Sequence, residues 1–364
     1  MPKSLLFIPD ITGFTEFVNN TEIEHGQHII SELLEKIIDS NEIGLEVSEI
    51  EGDAVLFYKV DHKSGLKEVY NQARKIFLNF HSHLKLYESQ RICQCGACSS
   101  ASKLSLKFVV HSADIGFTTV KNHKKPFGSD IVLLHRLLKN NISYEEYILF
   151  TDQYLQENQN ELEELTALKF ENGTDEYENI GLVNYSFVSL ADLYSEVPEP
   201  PPVVLPEKMR DPIAEEYVFD LSPPEAYEYL SNFDLKIQWS KGVTEFKYDK
   251  GKVNRIGTKH ICVFEKGSAE FESVTNDFGK GKLVYGEKLK KFPLATDFTI
   301  YFILSAIDDK TKIRVEIHYK PLPVIGWLLK PIILMNAKKI NQIFINSFSK
   351  LKRSNNIELS EVTS

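Results

Sequence analysis

The stretch of residues 5–17, LLFIPDITGFTEF, decides how the rest of the chain is interpreted. An apolar run leads to a single carboxylate, Asp10, and Gly13 follows in a sequence typical of a tight turn. The length and residue types of the run predict a buried strand. Because an unpaired buried carboxylate is very costly, Asp10 is expected to face a wet cleft or a positive group. A capping Asp in a strand-to-helix turn is the alternative.

A second stretch, residues 47–58 (VSEIEGDAVLFY), carries another carboxylate in a comparable position. Two apolar-rich arms flank Gly52 and Asp53, and Gly-Asp between such arms predicts a hairpin turn. Asp53 would then lie at the rim of a sheet, as Asp10 does. If the two strands are neighbours, about 4.8 Å apart, both carboxylates can reach one hard cation such as Mg²⁺.

A strand ending in Asp-Ile-x-Gly-Phe-Thr, then a helix, then a hairpin with Gly-Asp at its tip resembles a class III nucleotide cyclase domain. The resemblance implies a two-metal site for Mg²⁺ or Mn²⁺, with Asp10, Asp53 and the backbone carbonyl of Ile11 as ligands. It also implies a nucleoside triphosphate as ligand and a homodimer in which two subunits build each active site. The activity that it implies is that of an adenylate or guanylate cyclase, a phosphorus–oxygen lyase.

The same resemblance assigns roles to residues 128–136, GSDIVLLHR. Gly128 and Arg136 match the family's helix motif, which makes Arg136 the predicted catalytic cation. Val132 stands where the family has the Asn that orients the ribose, and Ile180 falls at about the position of its last-strand Lys. Since neither side chain can hydrogen-bond, the chain is predicted to be a divergent cyclase with weak, altered or no activity. The alternative is a non-catalytic nucleotide or lipid sensor, or a dimerisation module.

Two further positions correspond to those that select the nucleobase in the cyclase family. Glu49 lies three residues before Gly52, and its carboxylate can accept hydrogen bonds from the guanine edge. Lys125, three residues before Gly128, matches neither residue that is usual there. The resemblance therefore favours guanine, on Glu49 alone.

A short insert, RICQCGAC, carries Cys93, Cys95 and Cys98 in C-x-C-x2-C spacing. Three thiolates can bind a tetrahedral Zn²⁺. The fourth ligand would be His81, His83 or a cysteine from a second subunit. A redox-sensitive loop and an ordinary turn are the alternatives to a zinc site.

The composition excludes several classes of protein. With 42% hydrophobic and 26% charged residues, the chain has the composition of a globular protein. A net charge of −10 and a pI near 5.6 argue against a nucleic-acid partner, which requires a basic surface. The sequence contains no run of 18 apolar residues, so no transmembrane segment is predicted, and no secretory leader is evident. Clustered cysteines fit a reducing compartment, so the chain is expected to be cytoplasmic.

The predicted class is α+β, in two domains. Five prolines between residues 198 and 206 favour an extended spacer at the junction. The predicted parts are a ferredoxin-like, class III cyclase-type domain (1–194), a Pro-rich linker (195–209), a second domain (210–352) and a polar tail (353–364).

The second domain is predicted to contain a strand, a short helix, about six strands and a long final helix. This order resembles the START-like helix-grip fold of the polyketide cyclase/dehydrase type (SRPBCC). The resemblance implies an antiparallel sheet around the helix and a cavity for an apolar small molecule or lipid. Candidate lining residues, with ordinary core packing as the alternative, are Phe264, Phe271, Tyr285, Phe298, Tyr301, Ile317 and Tyr319.

Two further interpretations concern the chemistry and surface of this second domain. Its sequence shows no convergent acid–base pair, which argues against an enzyme in this half. The apolar stretch 322–335 is interpreted as core packing, with a pocket entrance or a membrane-touching edge as alternatives.

Overall fold

The computed structural model describes residues 3–21, 23–60, 64–92, 96–121, 123–165 and 168–351. The chain forms two compact units. The first comprises Met1–Ser89 and Cys95–Pro201, and the second comprises Gln90–Gln94 and Pro202–Ser364. Each unit combines helices with a mainly antiparallel sheet, so the predicted α+β class is confirmed.

The first unit contains nine strands and seven α-helices within the described residues. The strands are β1 (Lys3–Thr12), β2 (Glu46–Glu51), β3 (Ala54–Val60), β4 (Ser105–Asp114), β5 (Gly116–Val120), β6 (His123–Phe127), β7 (Tyr147–Thr151), β8 (Glu171–Tyr177) and β9 (Gly181–Ser189). The helices are α1 (Phe14–Asn19), α2 (Ile23–Asp39), α3 (Leu66–Ser89), α4 (Gly96–Ser100), α5 (Ser129–Leu137), α6 (Asp152–Glu157) and α7 (Gln159–Glu164). Short 3₁₀ helices span Ala101–Lys103 and Ala191–Glu196.

Strand β1 lies near the middle of a seven-stranded sheet ordered β2-β3-β1-β4-β7-β9-β8. It pairs antiparallel with β3 on one side and with β4 on the other. Residues 4–11 are buried, because both faces of a central strand are covered, and the prediction of a buried strand is confirmed. Gly52 has a φ of 63° in the turn between β2 and β3, a conformation that glycine adopts without strain.

Helix α5 packs against the sheet beside β1 and β4. Its buried residues Leu134 and Leu137 belong to the same core cluster as Leu6 and Ile8 of β1. This packing fixes the last turn of α5 close to the carboxyl end of β1, where Asp10 lies.

The second unit contains a seven-stranded antiparallel sheet ordered β10-β16-β15-β14-β13-β12-β11. Its strands are β10 (Ile213–Phe219), β11 (Val243–Lys247), β12 (Lys259–Phe264), β13 (Ser268–Val274), β14 (Leu283–Leu289), β15 (Ala295–Ile307) and β16 (Lys310–Pro321). Its helices are α8 (Pro223–Ser231), α9 (Phe233–Lys236) and α10 (Gly326–Phe348). Helix α10 packs on the sheet through Ile333, Ala337, Phe344 and Phe348. The predicted order of strands and helices is confirmed.

Three sequence-based expectations about the second unit need correction. Of the predicted lining residues, Tyr301 packs in a separate cluster with Val274 and Ile303, and Phe264 is exposed. The final helix, predicted over roughly residues 330–351, spans Gly326–Phe348. Core packing of the stretch 322–335 is wrong for six of its apolar side chains, which are exposed. Among the helices that the structure describes, none has the length and hydropathy that a bilayer span requires.

Candidate functional site

A cleft of about 620 Å³ opens in the first unit at the carboxyl end of β1. It lies between the β1–α1 turn, the tip of the β2–β3 hairpin, β4 and the last turn of α5. Its charged and imidazole groups come from all of these elements, and they are Asp10, Glu16, Glu51, Asp53, Lys107, His135, Arg136 and Lys139. The cleft therefore holds both predicted carboxylates together with several cations.

The backbone brings Asp10 and Asp53 to the same end of the sheet. Asp10 of β1 lies opposite Ala54, the first residue of β3, so Asp53 at the hairpin tip is adjacent to it. The N–H of Ile11 donates to the carbonyl of Asp53 at 3.0 Å and ties the hairpin tip to β1. Both carboxylates line the cleft, which is the arrangement that a shared cation requires.

Lys107 is a functional candidate that the sequence analysis missed. It lies directly opposite Asp10 in the β1–β4 pairing, and its Nζ is 3.1 Å from Oδ2 of Asp10. The same Nζ donates to the carbonyl of Leu138, just beyond α5, at 3.1 Å. Lys139 follows and also lines the cleft. These two lysines add positive charge where a polyphosphate would need it.

Burial raises the pKa of both carboxylates. The pKa of Asp10 rises to about 6, because desolvation and the nearby Asp53 carboxylate outweigh the opposing effect of Lys107. Desolvation also raises the pKa of Asp53, while its own backbone N–H and Lys107 lower it. Two hard oxygen donors that repel each other in a partly dry cleft fit a divalent cation, which would relieve that repulsion.

The raised pKa of Asp10 gives a titration prediction. We expect the Asp10 carboxyl to titrate near pH 6 by carbon-detected NMR in metal-free protein, rather than near 3.8. Because folding favours its protonated form, the stability that this contributes is complete below pH 3.8 and is lost as pH rises through about 6. Asp53→Asn should lower the midpoint and Lys107→Met should raise it.

Asp249 provides the internal control for that titration, since Lys252 lowers its pKa and its side chain is exposed. It should titrate below the usual range in the same spectra and in both variants. An Asp10 midpoint near 3.8, or one that neither variant moves, would contradict the electrostatic coupling in the cleft.

The residues of the predicted family helix are divided between the cleft and the solvent. Arg136 lines the cleft from the last turn of α5, and His135 lies beside it. Val132, at the predicted Asn position, is 53% exposed and does not line the cleft. Ile180 lies in the turn between β8 and β9 rather than on a strand, and it is also exposed.

The two predicted base-selecting residues lie together. Oε2 of Glu49 on β2 is 3.6 Å from Nζ of Lys125 on β6. Glu49, Glu51 and His135 also place one ligand atom each within 4.8 Å of the others. Because Glu51 and His135 line the cleft, this group extends the cleft along β2 towards Lys125.

The cysteine insert is only partly described. Cys93 and Cys95 lie outside the described residues, and Cys98 is buried in α4. Both histidines considered as fourth zinc ligands already have carboxylate partners. Nε2 of His81 is 2.7 Å from Glu146, and Nε2 of His83 is 2.7 Å from Glu32. The zinc site stays a prediction, and the carboxylate contacts at Nε2 leave Nδ1 as the ring nitrogen with which either histidine could complete it.

The second unit contains a buried charged cluster that the sequence analysis did not anticipate. Lys236 of α9 contacts the Glu287 carboxylate, and both residues are more than 90% buried. The same carboxylate oxygen is 3.0 Å from Nε2 of His260 and accepts a hydrogen bond from the Tyr285 hydroxyl at 2.9 Å. The expectation that this half has no convergent acid–base pair is therefore wrong.

A cavity of about 870 Å³ also lies in the second unit, next to α10. Apolar and charged groups line it together, among them Met209, Ile213, Tyr319, Lys330 and Leu334. Tyr319 alone of the predicted lining residues borders this cavity. An apolar ligand for the second unit stays a prediction.

Comparison with known proteins finds a family model and a relative that each match a part of the chain. Residues 30–147 match a family model described as a protein of unknown function (DUF2652). The uncharacterized protein Rv2561/Rv2562 of Mycobacterium tuberculosis is 29% identical over 175 residues, 47% of this chain and 78% of that protein.

Solved structures similar to this chain include a guanylate cyclase domain and a START superfamily protein. The guanylate cyclase domain of RhGC from Catenaria anguillulae, solved with GTP, is 14% identical, with a TM-score of 0.38. The match covers 52% of this chain and 96% of that one. A START superfamily protein from Mycobacterium smegmatis is 15% identical over 38% of this chain and 94% of its own, with a TM-score of 0.29. Identities this low leave the function to the cleft residues themselves.

Proposed function

We propose that the first unit binds a metal–nucleoside triphosphate complex in the cleft and forms a cyclic nucleotide from it. The ribose 3′-hydroxyl would lose its proton to water and bond to the α-phosphorus, while the bond to the pyrophosphate leaving group breaks. The observation that carries this proposal is the meeting of Asp10 and Asp53 in one cleft, close enough for the Asp53 carboxylate to raise the pKa of Asp10. Cations from β4 and α5 surround them, as the binding of a polyphosphate requires.

Asp10 and Asp53 would hold the divalent cation, Mg²⁺ or Mn²⁺, with the Ile11 carbonyl as a further ligand. When bound, such an ion neutralises phosphate charge and lowers the pKa of a coordinated hydroxyl. Lys107 holds Oδ2 of Asp10 in place by their ion pair, which orients the carboxylate before the ligand arrives.

The cations on the opposite wall would act on the phosphates. Arg136 and Lys139 extend from the end of α5 into the cleft, where they can stabilise charge that develops during phosphoryl transfer. They would supply part of the hydrogen bonding and positive charge that Val132 and Ile180 cannot provide, because those two residues have no polar side chain. We expect slow turnover for this reason.

Glu49 and Lys125 would contact the nucleobase, with Glu49 accepting hydrogen bonds from guanine. A homodimer of the first unit is part of the proposal, since the family resemblance implies that two subunits build each active site. An apolar ligand in the second unit would regulate the first.

A non-catalytic nucleotide sensor or dimerisation module is the second candidate. Val132 and Ile180 favour it, because both are exposed apolar residues at positions where a cyclase needs donors. The sensor would bind the nucleotide with the same carboxylates and release it unchanged.

Product formation with each nucleoside triphosphate distinguishes the two candidates. With Mn²⁺ we expect a cyclic nucleotide from GTP in preference to ATP, and no product with EDTA. Glu49→Lys should shift the ratio of kcat/KM towards ATP by about ten- to a hundredfold, because a lysine offers guanine no acceptor. The matched control is Glu35→Lys on the exposed side of α2.

Metal-dependent nucleotide binding without product would favour the sensor. Binding that needs no metal would contradict both candidates.

A further inference from the structure

One surface segment of the second unit exposes an unusual amount of apolar side chain. We call residues 324–335, VIGWLLKPIILM, the apolar patch. Its large exposed side chains, with their exposed fractions, are Val324 (90%), Trp327 (73%), Met335 (64%), Leu328 (55%), Ile325 (47%) and Ile332 (42%). Contiguous apolar surface of this kind marks an interaction site far more often than scattered single residues do.

The first three turns of α10 are apolar on both sides. Trp327, Leu328, Ile332 and Met335 recur at helical spacing and face outward, whereas Ile333 faces the sheet and is fully buried. A helix that is apolar around its whole circumference normally has a second partner besides its own core. The outward face therefore needs an occupant.

The charge around the patch indicates the chemistry of that occupant. From Pro321 to Leu351 the sequence contains no Asp or Glu, although the whole chain has a net charge of −10. The same stretch contains four lysines, of which Lys330, Lys338 and Lys339 lie on α10 and are exposed. The charged residues of the helix that carries the patch are thus all cations, although Glu207, Asp211 and Asp297 line the cavity that Lys330 also borders. An apolar helix face with lysines beside it is complementary to a surface that has an apolar interior and anionic groups on the outside.

We propose that the apolar patch docks on an anionic lipid bilayer surface, with Trp327 in the interfacial region. Aromatic side chains of this kind are enriched at membrane interfaces, and lysines beside them face the anionic headgroups. Because no helix of the described residues could span a bilayer, the segment would lie on the surface. A second copy fits less well, since a symmetric contact brings the same lysines against each other.

The patch and the cavity of the second unit share α10. Lys330 and Leu334 line the cavity. Ile332, which lies between them in sequence, and Met335, which follows Leu334, belong to the exposed apolar patch. Docking through the patch would bring the cavity to the membrane surface, where an apolar ligand is available. This docking does not depend on the nucleotide chemistry of the first unit.

Vesicle flotation with the full chain tests the proposal. We expect the chain to float with vesicles of phosphatidylcholine plus phosphatidylserine, to bind phosphatidylcholine alone weakly, and to lose binding as salt rises. Lys338→Gln with Lys339→Gln should weaken binding to the anionic vesicles about thirtyfold, and Trp327→Ser with Met335→Ser by roughly tenfold or more. All four side chains are exposed, so the fold should be kept; thermal melting checks this.

The controls remove comparable groups elsewhere on the chain. Val204→Ser removes an apolar side chain that is 90% exposed outside the patch, and Lys241→Gln with Lys266→Gln removes two other exposed lysines. Both should bind like the wild type. Absence of wild-type binding to the anionic vesicles would overturn the proposal. The proposal would also be overturned if the wild type self-associated without binding vesicles and the Trp327→Ser, Met335→Ser variant no longer self-associated.

Discussion

Replacing Asp53 with Asn is expected to reduce the rate of cyclic nucleotide formation by about a hundred- to a thousandfold. The substitution keeps the size of the side chain and removes the charge that a divalent cation requires. It leaves the backbone contact between Ile11 and Asp53 in place, because that contact uses the carbonyl. Asp10→Asn is less informative, since it would leave Lys107 without its carboxylate partner. The measurement is product formed with Mn²⁺ and GTP, with the affinity for Mn²⁺ determined separately.

Asp114→Asn is the matched control, because Asp114 is exposed at the far end of β4. It should retain wild-type rate and metal affinity. Product that persists unchanged in Asp53→Asn would point to a contaminating cyclase. Lost product with unchanged Mn²⁺ affinity would place the metal elsewhere and contradict the role proposed for Asp53.

The meeting of Asp10 and Asp53 could be predicted because both lie at turns that short-range sequence identifies. An apolar run ending in an acid fixes one end of β1, and Gly-Asp between apolar arms fixes the hairpin tip. Only one assumption was then needed, that the two strands are neighbours. The β1–β3 pairing satisfies it, with Asp10 opposite Ala54.

Lys107 could not be predicted in the same way. It reaches Asp10 through the register of β1 against β4, two strands separated by about a hundred residues of chain. Alternation of apolar and polar residues shows which face a side chain occupies, but not which residue of a distant strand lies opposite it. Lys107 could therefore not be predicted as the partner of Asp10, because their contact depends on the pairing of two strands that are distant in sequence.

The buried cluster of the second unit left a weak trace in the sequence. His260 and Glu287 occupy inward positions of strands whose other inward residues are apolar or aromatic, such as Tyr285. A polar residue at such a position is the indication that was available. Its partner Lys236 comes from a four-residue helix, and no pattern placed that helix over the sheet.

Removing either member of the Lys236–Glu287 pair is expected to destabilise the second unit by about 3–5 kcal/mol. Lys236→Met leaves the Glu287 carboxylate buried with His260 as its nearest remaining base, and Glu287→Gln leaves the ammonium group unpaired. The double variant should lose less than the sum of the two, because no charge is then left alone. Both tryptophans, Trp239 and Trp327, lie in the second unit, so their fluorescence in urea reports its unfolding selectively.

The pH dependence of this stability follows from the pKa of Glu287. Burial raises that pKa, but the combined effect of Lys236 and His260 is larger and opposite, so the pKa lies below the usual 4.5. The stabilisation is then present above pH 4.5 and is lost as pH falls through the lowered pKa. We expect the difference in unfolding free energy between the wild type and Glu287→Gln to shrink only in strongly acidic buffer.

The exposed pair Lys290–Glu270 is the matched control, with a similar contact at 2.8 Å and about 40% exposure on each side. Lys290→Met should leave the free energy of unfolding almost unchanged, because water screens an exposed ion pair. Equal effects at the two pairs would contradict the role of burial. If the double variant is as stable as the wild type, the charged cluster contributes no more to the free energy of unfolding than apolar packing would. A ligand or a reaction of the second unit would then be the explanation to test for its retention.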